Sequence, residues 1–99
     1  MTKIKKYADE MEDELNGAKG YAEEYLYLKA KNNQNWANRY REMANDELKH
    51  ANYIHERAME EIEELSKVYT PPVEMQELWD KEHKVFVEKA AWIKQMLAM

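Results

Sequence analysis

Apolar residues recur at spacings of three and four over three long stretches of this 99-residue chain. That spacing is typical of one face of an amphipathic helix, and it predicts helices over about residues 3–29, 35–66 and 72–98. At about 1.5 Å per residue, each helix would be roughly 40 to 48 Å long. The sequence therefore predicts an all-α fold, in which a long antiparallel helical hairpin and a third helix form one domain over residues 1–99.

Two short breaks separate the three stretches. Asn32-Asn33-Gln34-Asn35 offers residues that tolerate a left-handed C-cap and then an N-cap. Thr70-Pro71-Pro72 ends the second helix and starts the third, because proline suits a first helical turn but not a helix interior. Three long helices with such short connections cover one another poorly, so we expect two or more chains to associate.

Composition excludes several classes of protein. The chain has no cysteine, which excludes a disulfide framework, a zinc-thiolate finger and a thiol nucleophile. Two glycines and two prolines are too few for the turns of an all-β sandwich. No apolar run is long enough to span a membrane, and no apolar segment follows the N-terminus, so we expect a cytoplasmic protein. A formal net charge of −5 argues against a nucleic-acid partner.

The acidic residues form two clusters, one over residues 9–14 and one over residues 56–64. Charge runs of this kind usually form solvated helix faces. They can also create a field that attracts cations, and the sequence leaves both interpretations open.

Both glycines lie inside the first helical stretch. Asn16-Gly17 could form a turn that splits the helix, but the apolar spacing continues across Gly17 and Gly20 and favours one continuous helix. Glycine costs about 1 kcal/mol relative to alanine in a helix. We therefore expect a partner helix or bulky aromatic side chains to approach these two positions closely.

Three polar residues interrupt the apolar stripes. Glu14 falls on the stripe of the first helix, and Glu47 and His50 fall on the stripe of the second. A carboxylate and an imidazole at positions i and i+3 project from one helix face and can reach one metal ion together. Glu14 and Glu47 are about equally far from the predicted turn, so antiparallel pairing would bring them level. Hard and borderline ions such as Fe(II), Mn(II) or Zn(II) suit this donor set.

These residues resemble the half-site of the ferritin-like di-iron carboxylate family. The segment from Glu14 to Tyr21 is similar to the first metal helix of rubrerythrin and bacterioferritin, and Ala44–Ala51 is similar to the segment around their Glu-x-x-His. The resemblance covers about residues 5–65. It implies a four-helix bundle that holds two irons with four glutamates and two histidines.

The third helix offers no second set of these ligands, so the resemblance implies a homodimer in which each chain contributes one hairpin, as in the encapsulated ferritins. The shell-targeting tail of those proteins has no counterpart in the ending Lys94–Met99. In the implied site Glu47 bridges the metals, Glu14 and His50 are terminal ligands, and Tyr21 donates a hydrogen bond to a ligand carboxylate. These four residues would form a ferroxidase or peroxide-reducing centre that takes electrons from an external donor.

Other conspicuous side chains are expected to be structural. His55 lies about 140° around the helix from His50, which predicts a surface residue. His83, in an Asp80-x-x-His83 pair, is expected to pack at a helix interface rather than bind metal. The three tryptophans are expected to anchor the packing: Trp36, Trp79 and Trp92.

Two other functions compete with an active iron centre. One is a metal-free helical oligomerisation or interaction protein that recruits a partner through the third helix and the acidic faces. The other is a metal-binding relative of the ferritin fold without redox turnover.

Overall fold

The computed structural model describes residues 2–68, 70 and 72–99, and of Thr2 only the backbone. It contains three α-helices: α1 is Thr2–Ala30, α2 is Gln34–Ser66 and α3 is Val73–Ala98. No strand occurs within these described residues. The all-α prediction and the three helix ranges are thus confirmed to within one or two residues at each end.

The turn between α1 and α2 has the predicted chemistry. Asn32 adopts a left-handed conformation with φ of 61°. The side chain of Asn33 then caps α2 by accepting a hydrogen bond from the Trp36 backbone N–H at 3.4 Å. Pro72 precedes the first residue of α3, as predicted, whereas Pro71 lies outside the described residues.

Helices α1 and α2 pack as an antiparallel hairpin in one constant register. Lys3 forms an ion pair with Glu61, and Glu14 approaches His50. From the first contact to the second, the position advances by eleven residues in α1 and goes back by eleven residues in α2, so the register does not change. Three residues further along, Gly17 is level with Glu47. This register is what brings the candidate ligands of the two helices together.

Small residues fill the centre of the hairpin interface. Six fully buried alanines lie along it: Ala18, Ala22, Ala37, Ala44, Ala51 and Ala58. Larger side chains such as Tyr21 and Tyr40 are only half-buried, at the edge of this interface. Alanine occupies the centre because it lets two helix backbones approach closely.

Helix α3 runs parallel to α1 along one side of the hairpin. Lys89 donates a hydrogen bond to the Asn16 side chain, and Lys29 donates one to the carbonyl of Met99. Between α1 and α3 the apolar contact includes buried Met11, Leu15 and Phe86. The result is an elongated bundle of 55 × 18 × 17 Å.

The two histidines outside the Glu-x-x-His pair lie where α3 meets α2. His55 Nε2 is 2.8 Å from His83 Nδ1, a hydrogen bond between the two rings. The His55 ring also stacks against Phe86 and Trp79, with ring centres 5.0 and 5.8 Å apart. The prediction that His55 is a surface residue is therefore wrong, because α3 covers it, while His83 packs between helices as expected.

The three tryptophans differ in burial. Trp79 is buried and anchors α3, as predicted. Trp36 and Trp92 are 47% and 56% exposed, so within this chain they do not anchor the core, and the expectation for them is wrong.

Both glycines lie within the continuous helix α1, so the alternative of a turn at Asn16-Gly17 is wrong. The expected close approach occurs at Gly17, where the neighbour is the Glu47 side chain of α2 rather than an aromatic ring. At Gly20 the expectation fails, because an added Cβ would meet nothing within 4 Å.

None of the helices in the described part of the chain combines the length and the apolar character that crossing a membrane requires.

The half-buried histidine pair makes stability depend on pH. Burial lowers the pKa of His55 below its ordinary 6.5, and a charge on His83 lowers it further, while Glu56 on α2 opposes both effects. Protonation is therefore disfavoured in the folded state, so stability is highest above pH 6.5 and is lost as pH falls toward the lowered pKa.

We expect the unfolding free energy of the wild type to fall more between about pH 7.5 and 5 than that of His55→Phe, because only the wild type must take up a proton at position 55. Phenylalanine keeps a stacked ring between Trp79 and Phe86 but cannot take up a proton. Urea unfolding followed by circular dichroism at each pH measures the difference. Parallel pH profiles for the two proteins would contradict the assignment.

Candidate metal centre

Three side chains with metal-binding chemistry converge near the middle of the hairpin. Glu14 projects from α1, and Glu47 and His50 project from one face of α2 at positions i and i+3. One possible ligand atom from each residue lies within 4.8 Å of the others. Among the described residues, this is the single group of three or more such side chains found so close together.

The imidazole of His50 faces both carboxylates. Its Nδ1 lies 3.6 Å from Glu14 Oε2 and 4.0 Å from Glu47 Oε1. These distances are too long for hydrogen bonds. Ligands that each lie 2.0 to 2.2 Å from a shared ion are about 3 to 3.5 Å apart. Small side-chain movements would thus bring all three groups onto one cation.

The site lies at the edge of the hairpin interface, not in its centre. The side chains of Glu14 and Glu47 are 29% and 26% exposed, and that of His50 is 54% exposed. Carboxylates that are partly covered, yet open on one side, can be reached by an ion or by a second protein chain.

Two carboxylates held close together disfavour a second negative charge. A hydrogen bond with the Glu14 carboxyl raises the pKa of Glu47 above its ordinary 4.5, and partial burial and the Glu14 charge raise it further. His50 acts in the opposite direction. A bound cation would relieve this repulsion, because it would stabilise the ionised form of both carboxylates.

The three candidate ligands lie on a face of the hairpin that α3 leaves uncovered. Glu12 and Leu15 border α3, and at about 100° per residue Glu14 points about 160° and 100° away from these two side chains. We call this the open face. It comprises residues that are all half-buried or exposed: Tyr7, Glu14, Tyr21 and Leu28 of α1, with Tyr40, Met43, Glu47, His50 and Ile54 of α2.

Tyr21 lies on the open face but is not part of the convergent group. It follows Glu14 by seven residues, and its ring packs 6.0 Å from that of Tyr40 at a tilt of 54°. Within the described residues its hydroxyl forms no hydrogen bond with Glu14 or Glu47. The predicted role of Tyr21 as a donor to a ligand carboxylate stays a prediction.

The acidic clusters are partly neutralised by their own helices. Lys5 and Lys6 pair with Asp9 and Glu10 one turn later. In the second cluster, Arg57 pairs with Glu60 and Glu61, the closest N···O distance being 3.1 Å. Ion pairs of this kind within one helix are typical of solvated helix faces.

Two contacts between helices, one at the site and one away from it, escaped the sequence analysis. One is the contact of Gly17 with Glu47, which depends on the exact register of the hairpin. The other is the pairing of His55 with His83, for which the signal was present in the seven-residue spacing of Trp79 and Phe86 around His83. An aromatic residue one turn on each side of a histidine often marks a packed position.

Comparison of the chain with protein-family models, curated proteins and solved structures gives no match.

The strain between the two carboxylates predicts a stabilising substitution. Because the pKa of Glu47 is raised, its contribution to stability is present below the ordinary pKa of 4.5 and is lost as pH rises through the raised value. We expect Glu47→Gln to stabilise the metal-free protein at pH 7 by about 0.5 kcal/mol, and the gain to vanish near pH 4. Denaturant unfolding at both pH values measures it.

Glu42→Gln serves as the control, because Glu42 is an exposed glutamate of the same helix. An equal gain from the control would show that the effect comes from net charge and not from the Glu14–Glu47 pair.

Proposed function

We propose that this chain is a ferritin-like iron-binding protein whose di-iron carboxylate centre forms between two copies. The observation that carries the proposal is the convergence of Glu14, Glu47 and His50 within 4.8 Å on the open face of the hairpin. Residue types, spacing and placement all agree with the half-site that the sequence resembles.

The donor set fits the metal. Two carboxylates and one neutral imidazole suit first-row divalent ions, with Fe(II) favoured by the resemblance and Mn(II) or Zn(II) as alternatives. With no cysteine in the chain, oxygen and nitrogen donors are the strong ligands that it can offer. Glu14, Glu47 and His50 would hold the metal, with Glu47 between two ions and the other two residues terminal.

One chain supplies too few ligands for two ions. Three protein ligands per chain become four glutamates and two histidines when two hairpins meet at their open faces. The half-buried apolar residues beside the ligands support this arrangement, since a partner would cover them: Tyr21, Leu28, Tyr40 and Ile54. Helix α3 lies on the other side of the hairpin and leaves the contact free.

When bound, two Fe(II) ions would each give up one electron, and with two protons these electrons would reduce oxygen to peroxide or peroxide to water. The proposed activity is therefore that of a ferroxidase or peroxide reductase. The residues of this chain bind and orient the ions, and the neighbouring tyrosines of the open face shield them from water. Tyr21 would donate a hydrogen bond to a ligand carboxylate. Electrons for repeated turnover come from another molecule.

Loss of the ligands should abolish iron binding. We expect about one iron per chain in the wild type after anaerobic loading with Fe(II), and none in Glu47→Ala/His50→Ala. Elemental analysis of the desalted proteins measures this, with Glu42→Ala as the control. Undiminished iron in the double variant would overturn the proposed centre, and no iron in the wild type would favour the metal-free interaction protein.

Dimerisation and redox activity are separate consequences. We expect sedimentation analysis to show a dimer or larger oligomer. The substitution Tyr40→Asp on the open face should shift the protein toward the monomer and should also lower iron binding.

Rapid mixing of the Fe(II) form with oxygen or peroxide should produce ferric absorbance. Bound iron that is not oxidised would identify a binding protein without redox turnover.

A further inference from the structure

The two glycines of α1 have similar backbones but different surroundings. Both adopt ordinary helical conformations, with no positive φ, so neither is required by the path of the chain. Each destabilises the helix relative to alanine. A neighbouring side chain can offset this cost where it needs the space that a glycine leaves.

At Gly17 the reason is a contact with a candidate ligand. A Cβ at this position would lie 3.4 Å from Glu47 Oε2 and 3.8 Å from the Cδ and Cγ of the same side chain. At Gly20, one turn later, a Cβ would have no neighbour within 4 Å. Of the two glycines, Gly17 alone lies within contact distance of another side chain, and that side chain is Glu47.

The two oxygens of Glu47 face different partners. Oε1 points to His50, whose Nδ1 is 4.0 Å away, whereas Oε2 lies over the hydrogen of Gly17. A methyl group at position 17 would touch Oε2 directly. The contact is an ordinary van der Waals contact that displaces neither group, but the methyl would occupy the side of the oxygen from which water or an ion could otherwise approach.

We propose that Gly17 is a positioning residue that keeps Oε2 of Glu47 open, so that both carboxylate oxygens can act as ligands to divalent cations. The inference rests on the proposed metal centre, and it explains why α1 tolerates an unfavourable residue level with Glu47. A single-oxygen role for Glu47 would not require this clearance.

A metal-free mutant cycle tests the contact. We expect Gly20→Ala to raise the midpoint of thermal unfolding, and Gly17→Ala to raise it less, because the methyl desolvates the carboxylate. In the Glu47→Ala background the two glycine substitutions should raise the midpoint equally. If Gly17→Ala has the same effect with and without Glu47, the proposed contact is overturned.

Titration with Fe(II), and with Co(II) as a spectroscopic probe, tests the consequence for binding. We expect Gly17→Ala to weaken binding by about tenfold or more, a loss typical of residues that position ligands, and Gly17→Leu to weaken it further. Gly20→Ala and Gly20→Leu should bind within about twofold of the wild type, since nothing surrounds that position.

The outcomes separate the two proposals. Equal affinity of wild type and Gly17→Ala would overturn the role of Gly17 and leave the metal centre standing. Failure of the wild type to bind either ion would overturn the metal centre, and with it the ligand role of Oε2. The mutant cycle would then still decide whether Gly17 makes room for Glu47.

Discussion

The close packing of α1 against α2 is the constraint on which the rest of the molecule depends. Buried alanines along the interface, among them Ala18, Ala44 and Ala51, let the two helix backbones approach without large side chains between them. With larger residues there, the helices would separate and Glu14 would no longer reach His50. Alanine also has the highest helix propensity, so the same residues favour long, regular helices. The geometry of the site is therefore a consequence of the smallest side chains in the core.

The same packing creates an energetic conflict at the edge of the interface. Glu14 and Glu47 come from different helices but meet where partial burial makes two negative charges costly. His50 offsets part of this cost. A fold selected for stability alone would replace one carboxylate with an amide or an apolar residue. Conflict of this kind, at an accessible point beside a convergent imidazole, is a general sign of a functional site.

Helix periods and caps could be predicted from the sequence, whereas side-chain neighbours across helices could not. Three helices, the left-handed Asn32 and the Asn33 cap follow from local spacing and chemistry. The convergence of the three candidate ligands could also be predicted, because Glu47 and His50 belong to one helix and only Glu14 depends on the pairing of the helices. The prediction that His55 is a surface residue was wrong, because its environment depends on where α3 lies. No local pattern in α2 contains that information.

The register of the α1–α2 hairpin was also predicted with an error, which is small but has a consequence. Counting from the turn places Glu14 and Glu47 level, but in the structure Glu14 is level with His50, and Glu47 with Gly17. The difference is three residues, less than one helical turn. Glu14 still reaches Glu47, because a long side chain spans one turn, so the predicted ligand set does not depend on exact register. The role that we propose for Gly17 does depend on exact register, because a glycine makes room only for the side chain that lies directly above it.

The placement of α3 divides the hairpin into two sides with different tasks. On one side Trp79, Phe86 and the histidine pair fasten α3 and bury apolar surface within a single chain. On the other side the open face keeps tyrosines and the candidate ligands half-exposed. Were α3 to pack on the open face, it would bury Glu14 and Glu47 without supplying a cation or a matching set of ligands. A third helix that covers one side thus raises the stability of the single chain, while the other side stays available for the metal and the second copy that we propose.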